Sequence, residues 1–393
     1  MKKSNSQEIL VVGGGIGGLS AALALALRGM RVRVLEKASE FGEIGYGLQM
    51  GPNAYHVMRL LGIAEQVEAQ SVHPRELILM DALTDREITR IATGTAFQAR
   101  YKFPYIVVHR RDVHGALLEA CRSREEIVLM TSKALERFTD HGDRVTLTCE
   151  DGSEYEARAL ICADGLHSRA RELVLGDGPP RIAGHVVYRG VVPIDEVKDR
   201  RFFDSMVIWC GPGLHFVQYR LRGGTVMNYV ATFVSERFGR GLPDFGGPEE
   251  LVAAFDQTSP AVRGMLGHVG KDKNWILYDR DPVPNWTRGN VTLLGDAAHP
   301  TLQYLAQGAC MAIEDAVVLA AKLEQAGADV NAALLAYQSE RYLRTARVQI
   351  TSRIFGEIMH ARGGARDLRN HLMAQRTPDT TWEIDWLYRS IQV

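Results

Sequence analysis

Glu8-Ile9-Leu10-Val11-Val12-Gly13-Gly14-Gly15-Ile16-Gly17-Gly18-Leu19 is the run of residues from which the fold is read. Ile9–Val12 is a short apolar, β-branched run, the pattern of a buried strand. Leu19–Arg28 is an Ala/Leu-rich helix that stops at Gly29, and Arg31-Val32-Arg33-Val34-Leu35-Glu36 is a second strand. Strand, Gly13-x-Gly15-x-x-Gly18 turn, helix, strand and closing acid together define a βαβ dinucleotide-binding unit. Gly13 permits the tight turn. Gly15 lets backbone N–H groups approach a pyrophosphate, and Gly18 lets helix and strand pack closely. The helix N-terminus favours the anion. Glu36, with Lys37 beside it, is suited to the ribose hydroxyls of an adenosine.

A second focus lies far downstream, at Leu293-Leu294-Gly295-Asp296-Ala297-Ala298-His299-Pro300. An apolar strand feeds a Gly-Asp turn. Thr301–Gly308 then bends into a helix from Ala309, so one carboxylate (Asp296), one amide (Gln303) and a helix start converge. Between these foci, Gly45-Tyr46-Gly47-Leu48-Gln49 spaces its glycines as a backbone close to a ligand would, or as an ordinary loop. Tyr105–His114 is a strand ending in charge, where Arg110 faces a phosphate or simply solvent. Ala159–Gly165 is a strand ending in Asp164, which sits where α/β sheets bind ligands or serves as a turn residue.

From Ile182 to Asp281 the texture changes to alternating strands. His215–Leu221 and Thr225–Val230 flank Arg222-Gly223-Gly224, a hairpin signal. His215, Val217 and Tyr219 share one face, which spaces His215 and Tyr219 about 13 Å apart at Cα. They suit opposite ends of a one-ring ligand. A packed strand histidine is the competing reading of His215. Residues 309–323 and 331–348 read as long helices. The tail from Arg362 reads as peripheral or as an interface.

Composition bounds the class. The 393 residues suffice for one large or two fused domains, and a formal charge of -1 argues against nucleic-acid binding. Five scattered cysteines with no C-x-x-C argue against a disulfide framework or a metal site and for a reducing cytoplasm. No run is long enough to span a bilayer. The expected division is 1–181 with 282–350 as the nucleotide-binding domain, 182–281 as an inserted β-sheet substrate domain, and 351–393 as a C-terminal helical or interface segment.

The three motifs, Gly13-x-Gly15-x-x-Gly18 with Glu36, Ala163-Asp164-Gly165, and Gly295-Asp296-Ala297-Ala298-His299-Pro300, resemble the fingerprints of the FAD-dependent aromatic monooxygenases. Their order covers roughly residues 8–350. Within that family, Tyr46–Asn53, Gly211–Gly224, His299–Ala309, Arg376-Thr377-x-Asp379-Thr380 and Asp385-Trp386-Leu387 are similar to the 3-hydroxybenzoate 6-hydroxylases. The resemblance implies an α/β, Rossmann-like FAD-binding domain of the 4-hydroxybenzoate hydroxylase fold. It implies non-covalent FAD, held by Gly13, Gly15, Gly18, Glu36, Lys37, Gly47, Leu48, Gln49, Arg110, Asp164 and Asp296. Gly308, Ala309 and Cys310, at a helix start, would face the flavin ring.

It further implies that NADH and O2 are co-substrates and that a flavin C4a-hydroperoxide hydroxylates 3-hydroxybenzoate to 2,5-dihydroxybenzoate. His215 is then the base for the phenol proton, and Gln303 holds the phenolic oxygen. Tyr219 and Tyr105 serve the carboxylate end. No pocket arginine is evident in the sequence, so neutral donors are expected there. Salicylate 1-hydroxylation and 6-hydroxynicotinate 3-hydroxylation are the alternatives, and a non-catalytic flavin- or nucleotide-binding protein is the alternative class. A homodimer is compatible with the tail.

Overall fold

Two sheets organise the chain in a computed structural model that describes residues 8–42, 45–377 and 383–392. The first has six strands, ordered Thr287–Arg288, Val291–Leu293, Ala159–Cys162, Ile9–Val12, Val32–Leu35, Ile127–Met130. All pair in parallel except the Thr287–Arg288 edge. Ile9–Val12 and Ala159–Cys162 are buried throughout. Strands covered on both faces need such continuous apolar runs. The helices Ile16–Ala26 and Gly308–Ala326 pack on each other. A Cβ on Gly18 would fall 1.8 Å from the Gly13 carbonyl oxygen, so only glycine allows helix and turn to approach this closely.

Register aligns the strand ends. Val12 pairs with Leu35 and with Cys162, and Cys162 with Leu293. The residues that follow them, Gly13, Glu36, Asp164 and Asp296, therefore emerge at the carboxyl edge of one sheet, where ligands bind in this architecture.

The second sheet has seven strands: Asn274–Asp279, Arg181–Pro193, Val226–Val234, Leu214–Leu221, Ser205–Gly211, Glu76–Asp81, Glu87–Ala92. The expected 182–281 segment supplies most of it, but not all. Glu76–Asp81 pairs in parallel with Ser205–Gly211, and Glu87–Ala92 covers the outer edge. A parallel partner arrives by a long crossover, which alternation in the local sequence does not reveal.

The hairpin expected around Arg222–Gly224 forms between Leu214–Leu221 and Val226–Val234. The second long helix runs from Val330 to Met359, well past the expected 348. The end of the tail packs against the body, while helix Gly363–Ala374 is mostly exposed. Leu387 and Tyr388 are buried, Arg100 pairs with Asp385, and Arg344 donates to the Trp386 and Leu387 carbonyls. Asp379, Thr380 and Trp382 lie outside the described residues. Among the described residues, no helix is long and apolar enough to cross a membrane.

Candidate active site

A cavity of about 610 Å³ runs from the carboxyl edge of the first sheet to the face of the second. One end is walled by Gly13, Gly15, Glu36, Lys37, Arg110, Asp164 and Asp296. The other is walled by Arg189, His215, Val217, Tyr219, Val230 and Gln303. Gly47, Leu48 and Gln49 lie along it, with Gly308 and Ala309. The residues expected at the nucleotide and those expected at the ring thus share one space. Gly18, Tyr105 and Cys310 do not line it. Tyr105 donates to Gln49 Oε1 at 2.6 Å, so it stands one residue behind the wall. The Cys310 thiol turns to the Gln49 and Ala306 carbonyls.

At the nucleotide end, backbone N–H groups fix two carboxylates. Glu36 accepts from the Gly14 N–H at 2.6 Å and the Ala38 N–H at 2.8 Å, which anchors its carboxylate at the glycine turn. Each oxygen retains a second acceptor site for a ribose hydroxyl. Asp164 accepts from Ser168 Oγ at 2.6 Å and from the Ala170 N–H at 3.1 Å. It therefore shapes the turn into helix Arg169–Val174, while still lining the cavity.

A buried ion network supports the Gly295–Asp296 turn. Asp315 accepts from the Gly295 N–H at 3.0 Å, from His299 Nε2 at 2.6 Å and from Arg341 Nε at 2.6 Å. Glu314 accepts from Arg341, Arg344 and Asn53. Burial pushes both acids up, but the surrounding cations outweigh it and hold both carboxyls below their ordinary range. Ala306, just before the helix Gly308–Ala326, adopts φ +53°, a left-handed conformation that non-glycine residues rarely take. Such strain persists where surrounding structure imposes it.

The ring end is a grid on the second sheet. His215 pairs with Thr232, Val217 with Val230, and Tyr219 with Asn228. On the next strand, Val187, Arg189 and Val191 stand beside Thr232, Val230 and Asn228. A Cβ on Gly47 would sit 2.4 Å from the Tyr219 hydroxyl, so glycine admits the phenol here. Burial lifts Tyr219 to about 12, keeping it a neutral donor.

His215 is buried, and desolvation with nearby His185 presses it down to about 3, so it is neutral. Its Nδ1 lies 2.8 Å from His360 Nε2. When His215 donates through that contact, Nε2 is left as an acceptor, the tautomer a base requires. Tyr304 hydrogen-bonds His185 and packs edge-on to His215 and His360. Gln303 donates to Thr232 Oγ1 at 2.9 Å and accepts from Arg189 Nη2 at 3.1 Å. An arginine therefore does reach the pocket, contrary to the sequence expectation of neutral donors alone.

A glycine-turn cradle opening on a wall that carries a buried histidine fits a flavin-dependent ring hydroxylase. The FAD binding domain family matches residues 6–199 and 257–352. The chain belongs to that family and is an FAD-dependent aromatic hydroxylase. It is 46% identical over 386 residues to 3-hydroxybenzoate 6-hydroxylase 1 of Aquipseudomonas alcaligenes, covering 97% of both chains. It is 43% identical to 3-hydroxybenzoate 6-hydroxylase of Polaromonas naphthalenivorans (strain CJ2), covering 97% of this chain and 95% of that one. Klebsiella pneumoniae HpxO, solved with FAD and uric acid, superposes with a TM-score of 0.83 at 28% identity, covering 95% and 94%.

Proposed function

We propose that this chain hydroxylates 3-hydroxybenzoate para to its hydroxyl, giving 2,5-dihydroxybenzoate, with NADH as reductant and O2 as oxygen source. The observation that carries this reading is the single cavity joining the nucleotide cradle to His215, Gln303 and Tyr219. The names of the 46% and 43% identical relatives support the choice of acid. FAD, held non-covalently, would supply redox and oxygen chemistry that side chains lack.

The chain's own residues prepare the ring. Neutral His215 takes the phenol proton, which makes the ring electron-rich. The phenolate then gives the buried imidazolium the counter-charge it otherwise lacks. Gln303 has a second Nε2 hydrogen for the phenolic oxygen. Tyr219 donates toward the far end of the ring, and Tyr105 acts through Gln49. The Gly308–Ala326 helix start favours negative charge on the cofactor. Apolar walls such as Val217 and Val230 exclude water.

The test is a panel of hydroxybenzoates and 6-hydroxynicotinate, followed by NADH and NADPH oxidation, with products identified by chromatography. 2,5-Dihydroxybenzoate from 3-hydroxybenzoate, with NADH preferred, is expected. Catechol from salicylate, or preferred turnover of 6-hydroxynicotinate, overturns the reading. A reducing cytoplasm suits the five free, buried cysteines. Exposed Leu343, Ile350 and Ile354 on one long helix support a homodimer, which sedimentation tests.

A further inference from the structure

Arg189 lines the cavity, and among the described residues no acid is hydrogen-bonded to its side chain. Among the described residues, its side chain makes one hydrogen bond, to the neutral Gln303 Oε1. Its guanidinium otherwise lies over the Tyr46 and Trp275 rings, at 5.5 and 5.9 Å from their centroids. Those contacts orient the fork and leave most of its donors unspent. A guanidinium removed from water without a carboxylate partner is costly. A ligand carboxylate would satisfy it with two parallel hydrogen bonds.

The sheet register places this charge relative to the base. Arg189 pairs with Val230, and Val230 with Val217, so it stands two strands across and one grid row along from His215. At ordinary strand spacing and rise, that separates the two Cα atoms by roughly 12 Å. The reach of the two side chains reduces this to a gap that one benzene ring with meta substituents spans. Arg189 also borders a second cavity, of about 450 Å³, whose lining among the described residues includes His109, Arg222 and His268 and no acid. That lining suits the approach of an anion.

We propose that Arg189 is the carboxylate anchor of the aromatic acid, and so a specificity-determining residue for acids over their neutral analogues. The inference rests on the reading of the substrate as a hydroxybenzoate.

The experiment uses flavin-loaded wild type, R189Q and R189K. Flavin absorbance changes report binding of 3-hydroxybenzoate and of uncharged 3-hydroxybenzamide, with no turnover needed. R189Q should bind the acid at least about 30-fold more weakly, the lower range for breaking a desolvated charge pair. The amide should shift only a few-fold, and R189K should fall between. Retained flavin content reports intact folding. Equal loss of acid and amide, unchanged acid binding, or a rise confined to the KM for NADH overturns the assignment. Product analysis of the wild type tests the substrate reading separately. If another aromatic acid proves to be the substrate, the same acid and amide pair of that ring decides the role of Arg189.

Discussion

His215 joins the cavity to a buried cluster, because it lines the ligand space and its Nδ1 lies against His360 Nε2. Replacing it with asparagine removes the base but keeps a polar side chain of similar size. H215N should lower product formation by about 10²-fold or more. NADH should still be consumed, with the oxygen appearing as H2O2. If product formed per NADH stays at the wild-type ratio, the base lies elsewhere. Gly47→Ala tests the fit of Tyr219. The new Cβ would collide with the phenol, so we expect about 1–3 kcal/mol of destabilisation from overpacking, measured by denaturant titration. A neutral result would mean that the loop yields. These residues differ in how far the sequence revealed them. The Gly13–Gly18 spacing is legible because its constraints are local sterics. His215 and Tyr219 are legible because alternation along one strand puts them on one face. Arg189 is not, since its meaning depends on which strand lies beside which. Its visible signal was the same alternation along Arg181–Pro193, which aligns Val187, Arg189 and Val191.

At the scale of elements, the Gly295–Asp296 turn and the helix Gly308–Ala326 are held by charge as much as by apolar packing. Asp315 binds the turn, His299 and Arg341 at once. D315N should leave Arg341 short of a counter-charge and cost about 3–5 kcal/mol. Flavin retention should fall in parallel, because Asp296 and the helix start share that support. Chemical denaturation together with the flavin content of the purified protein reads both effects. Loss of stability at full flavin occupancy would separate the network from the site. The Leu293–Pro300 motif made the strand, turn and helix evident in the sequence. Its dependence on Arg341 was not evident, because a long surface-patterned helix gives no sign that one of its arginines is buried.

For the whole molecule, the buried histidine cluster and the Glu314–Asp315 pair act in one direction. His185 and His215 are pressed to about 4 and about 3, chiefly by burial, and His360 is also lowered. An unfolded chain binds these protons near the ordinary histidine value of about 6.5, whereas the folded chain does not. Their contribution is present above that pH and is lost as pH falls toward the folded values. Asp315 and Glu314, lowered in the fold, lose theirs further down, below the ordinary carboxylate range. The melting temperature should therefore hold near neutrality and drop steadily below about pH 6. A flat profile from pH 7 to 4 would contradict the buried histidine cluster. The two-sheet plan was legible from the change in texture near Ile182. Its true boundary was not, because Glu76–Asp81 finds its parallel partner far along the chain.

That pairing has a consequence for inheritance and engineering. The chain threads from the first sheet to the second and back more than once, with strands at 76–92 and 181–279 on one side and 9–35, 127–130, 159–162 and 287–293 on the other. The ring-facing half is not a cassette. A recombinant that exchanges 182–281 alone leaves Ser205–Gly211 beside a foreign neighbour and breaks a seam of main-chain pairing. New ring specificities in this architecture are thus reached by single side-chain changes on the grid, or by transplants that carry both segments together.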